Sequence, residues 1–386
     1  MKPFRIAIAG LGTVGAGVVE ILQSNADLIQ SRTSRKIEIA AICDRDQDSD
    51  RGVDLSCYEW AGDAHGLADI GGLDAIVELI GGSQGIAYDL AKAALGKGVS
   101  IVTANKALLA HHGFELASLA ETNGARIGYE AAVAGGIPII KALREGLAGN
   151  DINCIYGILN GTCNYILTAM RETGADFEDV LKEAQEKGYA EADPTFDVDG
   201  IDAAHKLCLL TSLAFGVQPD FKAIETKGIR DITGADIRAA QKFGYKIKLL
   251  GIAKRQDGKI SQSVEPCLVP ADSSLGGVED SYNAVFVEGD FVEKVLMTGR
   301  GAGRKPTASA VVADIIDLAK GLDVPVFGVK TDKLAKPVWA DAGQIKSCYY
   351  IRAAGDAQIT EEMEQVGLGA LTDKLDSPYI MRVEDL

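Results

Sequence analysis

The residues Phe4-Arg5-Ile6-Ala7-Ile8-Ala9-Gly10-Leu11-Gly12-Thr13-Val14-Gly15 place a GxGxxG pattern directly after a short apolar run. The apolar run predicts a buried strand, and the apolar periodicity that follows predicts a helix from about Val14 to Gln30. Gly10 permits a tight turn, Gly12 lets backbone approach a pyrophosphate, and Gly15 allows close helix–strand packing. The N-terminus of the helix supplies N–H groups for an anion. This segment therefore predicts a dinucleotide-binding turn.

Further short strands alternate with helices beyond this turn, which is typical of a doubly wound parallel sheet. These predicted strands are Ile37–Ile42, Ala75–Leu79, Ser100–Thr103 and Arg126–Tyr129. After about residue 150 the pattern changes. Apolar and polar residues alternate, as in a half-buried strand, and hairpin turns are predicted at Asp257-Gly258 and Gly289-Asp290. We therefore expect an α/β Rossmann domain followed by an α+β domain with a partly antiparallel sheet.

Composition narrows the class of protein. The 386 residues contain 39 Lys+Arg and 55 Asp+Glu, giving a net charge of −16 that disfavours a nucleic-acid partner. No apolar run is long enough to predict a membrane span, and the N-terminal apolar run is too short for a signal peptide. The seven cysteines form no C-x-x-C pair, so we expect reduced thiols and a cytoplasmic location.

Two adjacent residues after the second strand favour different dinucleotides. Asp44 would accept hydrogen bonds from the ribose hydroxyls of NAD, whereas Arg45 would pair with the additional phosphate of NADP. The sequence leaves this choice open.

Lys106 follows the fourth strand in the segment Val102-Thr103-Ala104-Asn105-Lys106. Ligands of open α/β sheets bind beyond the carboxyl ends of the strands, so this lysine is a candidate cofactor or substrate contact. A solvated lysine at the start of a helix is an equally good interpretation of the residue alone.

Asp202 and Lys206 are four residues apart on a helix whose same face continues through Leu209 and Leu213. A solvated ion pair is unusual on a helix that is apolar on nearly every side. A half-desolvated lysine held by an aspartate is suited to exchanging a proton with a substrate hydroxyl. An ordinary intrahelical ion pair is the alternative, and Asp197 and Asp199 lack the other ligands of a calcium loop.

The segment Tyr129–Pro138 combines Glu130 with small residues and glycines. It fits either carbonyl oxygens turned inward around a monovalent cation or a close-packed hinge between domains. The sequence alone favours the hinge.

These motifs, in this order and with Gly157–Leu167 between them, resemble homoserine dehydrogenase over residues 4–320. The family interconverts L-homoserine and L-aspartate 4-semialdehyde with NAD(P), for threonine and methionine biosynthesis. The resemblance implies a dinucleotide site at Gly10, Gly12, Thr13, Val14, Gly15 and Gly303.

The resemblance also implies roles for residues outside the glycine turn. Lys206 would be the proton donor or acceptor, Glu191 would bind the substrate amino group, and Lys106 would lie near the nicotinamide. Asp197 and Asp202 would help to fix the substrate and the lysine. A sodium ion would be held by Glu130 and by the carbonyl groups of Val133, Gly135 and Ile137.

The resemblance further implies a homodimer or higher homo-oligomer. The expected domains are 1–133, with 301–325 returning, for the dinucleotide; 152–265 for catalysis; and 134–151 with 266–300 for dimerisation. The tail, 341–386, has one strand-like segment at Cys348–Ile351 and is too short for a complete ACT domain, so we expect at most an ACT remnant without threonine feedback.

Two other functions remain open. Family members commonly have Thr at the position of Cys163, and a cysteine near a helix N-terminus is the nucleophile of a phosphorylating semialdehyde dehydrogenase, with His205 as its base. The other alternative is a non-catalytic protein that senses a dinucleotide on a Rossmann frame.

Overall fold

The computed structural model describes residues 2–341, 345–353, 356–372, 375 and 378–384. Part of the expected tail, namely 342–344, 354–355, 373–374, 376–377 and 385–386, lies outside the described residues.

The strands and helices are numbered in chain order. The strands are β1 (Phe4–Ala9), β2 (Ile37–Cys43), β3 (Glu59–Trp60), β4 (Ala75–Glu78), β5 (Ser100–Thr103), β6 (Ile127–Gly128), β7 (Ile152–Ile158), β8 (Glu225–Thr226), β9 (Tyr245–Gln256), β10 (Lys259–Pro270), β11 (Tyr282–Gly289), β12 (Glu293–Arg300), β13 (Lys346–Ala353), β14 (Asp356–Ile359), β15 (Met363–Glu364) and β16 (Tyr379–Val383). The helices are α1 (Thr13–Ser24), α2 (Ala26–Thr33), α3 (Ile86–Gly96), α4 (Lys106–Thr122), α5 (Ile139–Lys141), α6 (Gly161–Thr173), α7 (Phe177–Glu186), α8 (Thr195–Val198), α9 (Ile201–Phe215), α10 (Gly234–Lys242), α11 (Arg304–Lys320) and α12 (Gln365–Thr372).

The chain divides into two compact units. The first contains Met1–Gly149, Ser212–Asp220 and Arg300–Lys336, and the second contains Asn150–Thr211, Phe221–Gly299 and Pro337–Leu386.

The first unit is built on a parallel sheet with the strand order β3-β2-β1-β4-β5-β6. Its central strands are buried on both faces, which explains why β1 and β4 are almost entirely apolar. Helix α11 packs closely on α1, since a Cβ built on Gly17 would lie 2.9 Å from Cγ of Arg304. The predicted Rossmann fold is confirmed.

In the described part of the second unit, ten strands form a mixed sheet with the main order β12-β11-β7-β9-β10-β16-β13-β14. The predicted hairpin at Asp257-Gly258 joins the antiparallel strands β9 and β10, and both turn residues adopt left-handed φ angles of 51° and 75°. An apolar cluster that includes Tyr156, Leu250 and Phe286 covers part of this sheet.

The structure differs from the predicted secondary structure in two places. The helix expected from Val14 to Gln30 is interrupted at Asn25, which terminates α1 with φ −111° and favours a helix end over a helix interior. The described part of the tail contains four strands and α12, where the sequence indicated a single strand. One of them, β16, pairs with β10 in parallel and with β13 in antiparallel orientation. Within the described ranges, every helix is too short or too polar to cross a membrane.

Candidate active site

The glycine turn is shaped by close backbone contacts. Gly10 has φ +96°, and a Cβ added there would lie 2.5 Å from the carbonyl oxygen of Leu79. A Cβ on Gly15 would lie 2.0 Å from the carbonyl oxygen of Gly10, so both positions require glycine. Gly12 differs, because a Cβ there would meet nothing within 4 Å. The turn is therefore closed towards the protein and open at Gly12.

Helix α1 begins beyond Gly12 without a side-chain cap. Thr13 is exposed and Val14 half-buried at this N-terminus, so backbone donors are available to an anion. Gly303 is the corresponding N-cap of α11, with φ +108° and again no side-chain cap. These features fit the pyrophosphate of a dinucleotide.

A cavity of about 720 Å³ lies beyond the carboxyl ends of β1, β2 and β4. The strand order reverses between β1 and β4, which is where open α/β sheets bind their ligands. The volume of this cavity falls in the range of small-molecule sites, roughly 300–1,000 Å³. Its lining includes Gly10, Gly12, Asp44, Arg45, Ile80 and Gly82.

A buried carboxylate shapes the wall of this cavity. Glu78 accepts the N–H groups of Ile80 and Gly81 at 2.8 and 3.1 Å and the hydroxyl of Thr103 at 2.6 Å. Asn105 donates to the carbonyl of Gly82 at 2.7 Å and caps α4 through Leu108. Half-buried Lys106 is the first residue of α4, immediately after this network. The roles of Glu78 and Asn105 were not predicted from the sequence.

Asp44 and Arg45 occupy different environments. Asp44 is half-buried, and its carboxylate accepts the N–H of Leu11 at 2.5 Å. Burial alone would raise its pKa, but the N–H donors of Leu11 and Asp46 and the Arg51 guanidinium together hold the pKa of Asp44 below its ordinary value. Arg45 is exposed.

In the second unit, Lys206 and Asp202 form the predicted pair on one face of α9. Lys206 Nζ donates to Asp202 Oδ2 at 2.6 Å and to the carbonyl of Leu159 at 2.7 Å. Lys206 is 8 % exposed and Asp202 5 % exposed. An ammonium carries three protons, so the two acceptors leave one proton without an acceptor among the described residues. The lysine is therefore held in place and still able to donate.

Asn160 organises the carboxylates around this lysine. Its amide nitrogen donates to Asp202 Oδ2 at 2.9 Å and to Asp197 Oδ1 at 2.7 Å, and its amide oxygen caps α6 at Cys163. Asn283 donates to the carbonyl of Leu159 at 3.0 Å. Asn160 has a sequence signal, since Asn before Gly161 is a typical N-cap. Asn283 has none.

Glu191 does not contact the cluster formed by Lys206, Asp202, Asp197 and Asn160. Its side chain is exposed on the loop between α7 and α8, and within the described residues it forms no hydrogen bond or ion pair. Its backbone carbonyl, like that of Ala192, accepts from the side chain of Gln185 at 3.0 and 3.3 Å respectively.

Cys163 is fully buried at the start of α6, and its thiol donates to the carbonyl of Asp197 at 3.3 Å. Burial, together with the charges of Asp197 and Asp202, raises the pKa of Cys163 well above its ordinary value. His205, the proposed base, is stacked between Phe196 and Phe221 at centroid distances of 5.6 and 4.3 Å. A protonated, inaccessible thiol does not suit a thioester mechanism.

If the chain oxidises homoserine as the resemblance implies, we expect Cys163→Ser to keep turnover within about threefold of the wild type, since the substitution removes no group that handles the proton. Initial rates at saturating substrate check this. Complete loss of turnover in a variant that still binds dinucleotide would favour the thioester route.

Glu130 lies in a buried network of its own. Its two carboxylate oxygens accept the N–H groups of Ile140 and Lys141, each at 2.9 Å, and its own N–H donates to Asp314. Ala134 and Gly135 follow with left-handed φ angles of 54° and 51°. The carbonyl of Ile137 accepts from Ile139. No cluster of three or more His, Cys, Asp or Glu side chains suited to a metal occurs in the described part of the chain.

Two family models match successive parts of the chain. A family model described as "Homoserine dehydrogenase, NAD binding domain" matches residues 10–130, and one described as "Homoserine dehydrogenase" matches 138–316. The homoserine dehydrogenase of Pseudomonas aeruginosa is 45 % identical over 358 residues, covering 91 % of this chain and 82 % of its own.

Solved structures of homoserine dehydrogenases are also similar to this chain. A homoserine dehydrogenase from Thiobacillus denitrificans is 38 % identical with a TM-score of 0.94, covering 100 % of this chain and 99 % of its own. A hyperthermophilic archaeal homoserine dehydrogenase mutant in complex with NADPH is 32 % identical with a TM-score of 0.71, covering 84 % and 99 %. The chain therefore belongs to the homoserine dehydrogenase family, whose members are NAD(P)-using oxidoreductases of amino-acid biosynthesis.

Proposed function

We propose that the chain interconverts L-homoserine and L-aspartate 4-semialdehyde, with Lys206 as the group that exchanges the proton. The supporting observation is the buried ammonium of Lys206, which is held by two acceptors and has one proton left to give. A solvated lysine would not be fixed in this way, because ordering a long side chain in water has an entropy cost of up to ~2 kcal/mol.

The proton step follows from the contacts of Lys206. In the reductive direction, Nζ gives its third proton to the aldehyde oxygen while carbon C4 becomes the alcohol carbon. When bound, the nicotinamide supplies the hydride to C4 in this direction and accepts it in the other. After the transfer, the remaining two N–H groups still donate to Asp202 and to the Leu159 carbonyl. The amine therefore keeps its position in both protonation states.

Other residues are assigned to substrate and cofactor by the family resemblance. Glu191 would bind the substrate amino group, and its exposed carboxylate is available to an ammonium. Asp197 would help to fix the substrate through Asn160, and Lys106 would contact the nicotinamide end of the cofactor. Gly10, Gly12, Thr13, Val14, Gly15 and Gly303 would hold the dinucleotide.

A spectrophotometric assay tests this function. The protein is mixed with L-homoserine and either NAD⁺ or NADP⁺ at alkaline pH, and absorbance at 340 nm is followed. We expect an increase that requires homoserine. An increase that requires aspartate semialdehyde and phosphate, and not homoserine, would instead support the phosphorylating alternative. Dinucleotide binding without either reaction would support the sensing protein.

We also propose that a sodium ion is held by the carboxylate of Glu130 and the carbonyl oxygens of Val133, Gly135 and Ile137. Glu130 is 1 % exposed, and burial together with the charge of Asp314 raises the pKa of Glu130 to about 7. A bound cation would stabilise the charged form of this carboxylate. The oxygens that already accept an N–H retain a second lone pair.

A cation that binds only the folded protein raises its melting temperature. We therefore expect a higher melting temperature in sodium chloride than in N-methylglucamine chloride at equal ionic strength. Glu130→Gln should reduce this difference. Equal melting temperatures in the two salts for the wild-type protein would contradict a sodium site.

The remaining expectations rest on the sequence and the resemblance. They are a cytoplasmic homodimer or higher homo-oligomer, dimerisation through 134–151 and 266–300, a catalytic region at 152–265, and an ACT remnant in the tail that does not mediate threonine feedback. Each of these stays a prediction.

A further inference from the structure

We infer that the enzyme selects NAD(H) over NADP(H), with Asp44 as the residue that determines the choice. This inference rests on the proposed dinucleotide-dependent function and identifies the cofactor for the same site. It is carried by the position of Asp44, by the contacts that hold its carboxylate, and by the pairing of the nearby arginines.

Asp44 directly follows β2 and lies where two cavities meet. It lines the 720 Å³ cavity described above and also a second cavity of about 600 Å³. Gly12 is another residue shared by the two. In a Rossmann fold, an acidic residue at the end of the second strand accepts hydrogen bonds from the ribose hydroxyls of the adenosine half of the cofactor.

The carboxylate of Asp44 is fixed from several directions. One oxygen accepts the N–H of Leu11 at 2.5 Å, and the other accepts the N–H of Asp46 at 3.1 Å. Arg51 Nη2 lies 3.4 Å from Asp44 Oδ1. Because these contacts hold its pKa below the ordinary range, Asp44 is negatively charged at neutral pH. A 2′-phosphate, with a charge of roughly −1.5 to −2, would be repelled there.

The guanidinium of Arg51 already forms hydrogen bonds and an ion pair within the protein. Its side chain is 8 % exposed. In addition to Asp44, it donates to the carbonyl oxygens of Leu11 at 2.9 Å, Ser49 at 2.8 Å and Asp46. A guanidinium has five donors, so most of this one is used within the loop. Binding a phosphate through Arg51 would break these contacts.

Arg304 is the other arginine that lines the second cavity, and it is paired as well. Its Nε and Nη2 lie 3.0 and 2.9 Å from Glu20 Oε2, and its Nη1 donates to the carbonyl of Arg51. The same cavity is lined by Asp46 and Asp50 in addition to Asp44. Apart from Arg45, the described charged side chains around the two cavities are therefore carboxylates and arginines that are already paired.

Arg45 is the competing group. It is exposed and lines the first cavity beside Asp44. If Arg45 determined the choice, the enzyme would bind NADP⁺ more tightly than NAD⁺, and Arg45→Ala would remove that advantage. We assign the choice of dinucleotide to Asp44, because contacts hold its carboxylate in place and an exposed arginine side chain is not held in this way.

Calorimetric titration of the wild-type protein with NAD⁺ and with NADP⁺ tests the inference without homoserine and without turnover. We expect NAD⁺ to bind about 100-fold more tightly. Asp44→Ser should weaken NAD⁺, strengthen NADP⁺, and lower the ratio of the two affinities by about tenfold or more. Asp48→Ser, which removes the same charge from an exposed position of the same loop, should leave the ratio unchanged.

Adenosine fragments keep the test independent of how the variants fold. The wild-type protein should bind 5′-AMP more tightly than 2′,5′-ADP, since the two differ at the 2′ position that Asp44 discriminates. Equal or tighter binding of NADP⁺ and of 2′,5′-ADP would overturn the inference while leaving the proposed function intact. Binding of neither dinucleotide would overturn both. NAD⁺ selectivity without homoserine oxidation would support the inference and contradict the proposed function.

Discussion

Lys206→Ala is expected to lower kcat for homoserine oxidation by roughly 10³-fold, near the middle of the range contributed by general acid–base groups. The reason is the geometry of the amine. Asp202 and the Leu159 carbonyl accept two of its protons and fix Nζ, and the methyl group of alanine cannot exchange a proton from that position. Steady-state rates at saturating homoserine and dinucleotide measure the effect.

The same variant should still bind the dinucleotide with wild-type affinity, because the glycine turn and its cavity contain none of the contacts of Lys206. It should be less stable by about 3–5 kcal/mol, since the buried carboxylate of Asp202 loses the ammonium that compensates its charge. Lys182→Ala, which removes an exposed lysine of α7, is the control and should change neither turnover nor stability measurably. Turnover within tenfold of wild type in folded Lys206→Ala would contradict the assignment.

Gly12→Ala is expected to weaken dinucleotide binding by about 100-fold, comparable to the effect of a 1 Å misplacement in a site. Its Cβ would meet no protein atom within 4 Å, so the methyl group would occupy space that the pyrophosphate requires. Gly12 has an extended backbone with φ −64°, so alanine would not need a left-handed φ there. The melting temperature of the ligand-free protein should therefore change little, while the dissociation constant measured by calorimetry rises.

Gly96→Ala provides a matched control in the same unit. Gly96 lies at the end of α3, and a Cβ there would also meet nothing within 4 Å. This variant should bind the dinucleotide normally and gain up to ~1 kcal/mol of stability from the higher helix propensity of alanine. If Gly12→Ala bound dinucleotide as tightly as Gly96→Ala, the turn would not be the pyrophosphate site.

The N-terminal fold was predictable because its determinants are local. The run from Phe4 to Gly15 contains a strand, a turn and a helix start within twelve residues, and each has its own residue preferences. The interruption at Asn25 was missed because apolar periodicity continues across it. The tail strands were missed because β16 is only five residues long and is stabilised by pairing with the distant strand β10.

One part of the candidate site was predictable from the sequence, and another part was not. Asp202 and Lys206 are four residues apart on one helix, so the sequence alone brings them together. The Leu159 carbonyl, in contrast, lies 47 residues from Lys206 along the chain, and Asn283, which donates to that carbonyl, lies 124 residues from Leu159. Arg51 contacts Asp44 only because a loop folds back after β2. Contacts of this kind depend on tertiary structure, and no residue pattern indicates them.

Chemical rescue of Lys206→Ala tests the central claim most directly. The rate of absorbance change at 340 nm is measured with homoserine and dinucleotide while methylamine is added at constant pH and ionic strength. Because the missing group is a primary amine that exchanges a proton, the account predicts a rate that is very low without amine and rises with amine concentration. A folded variant that turns over at the wild-type rate with no amine present would contradict it.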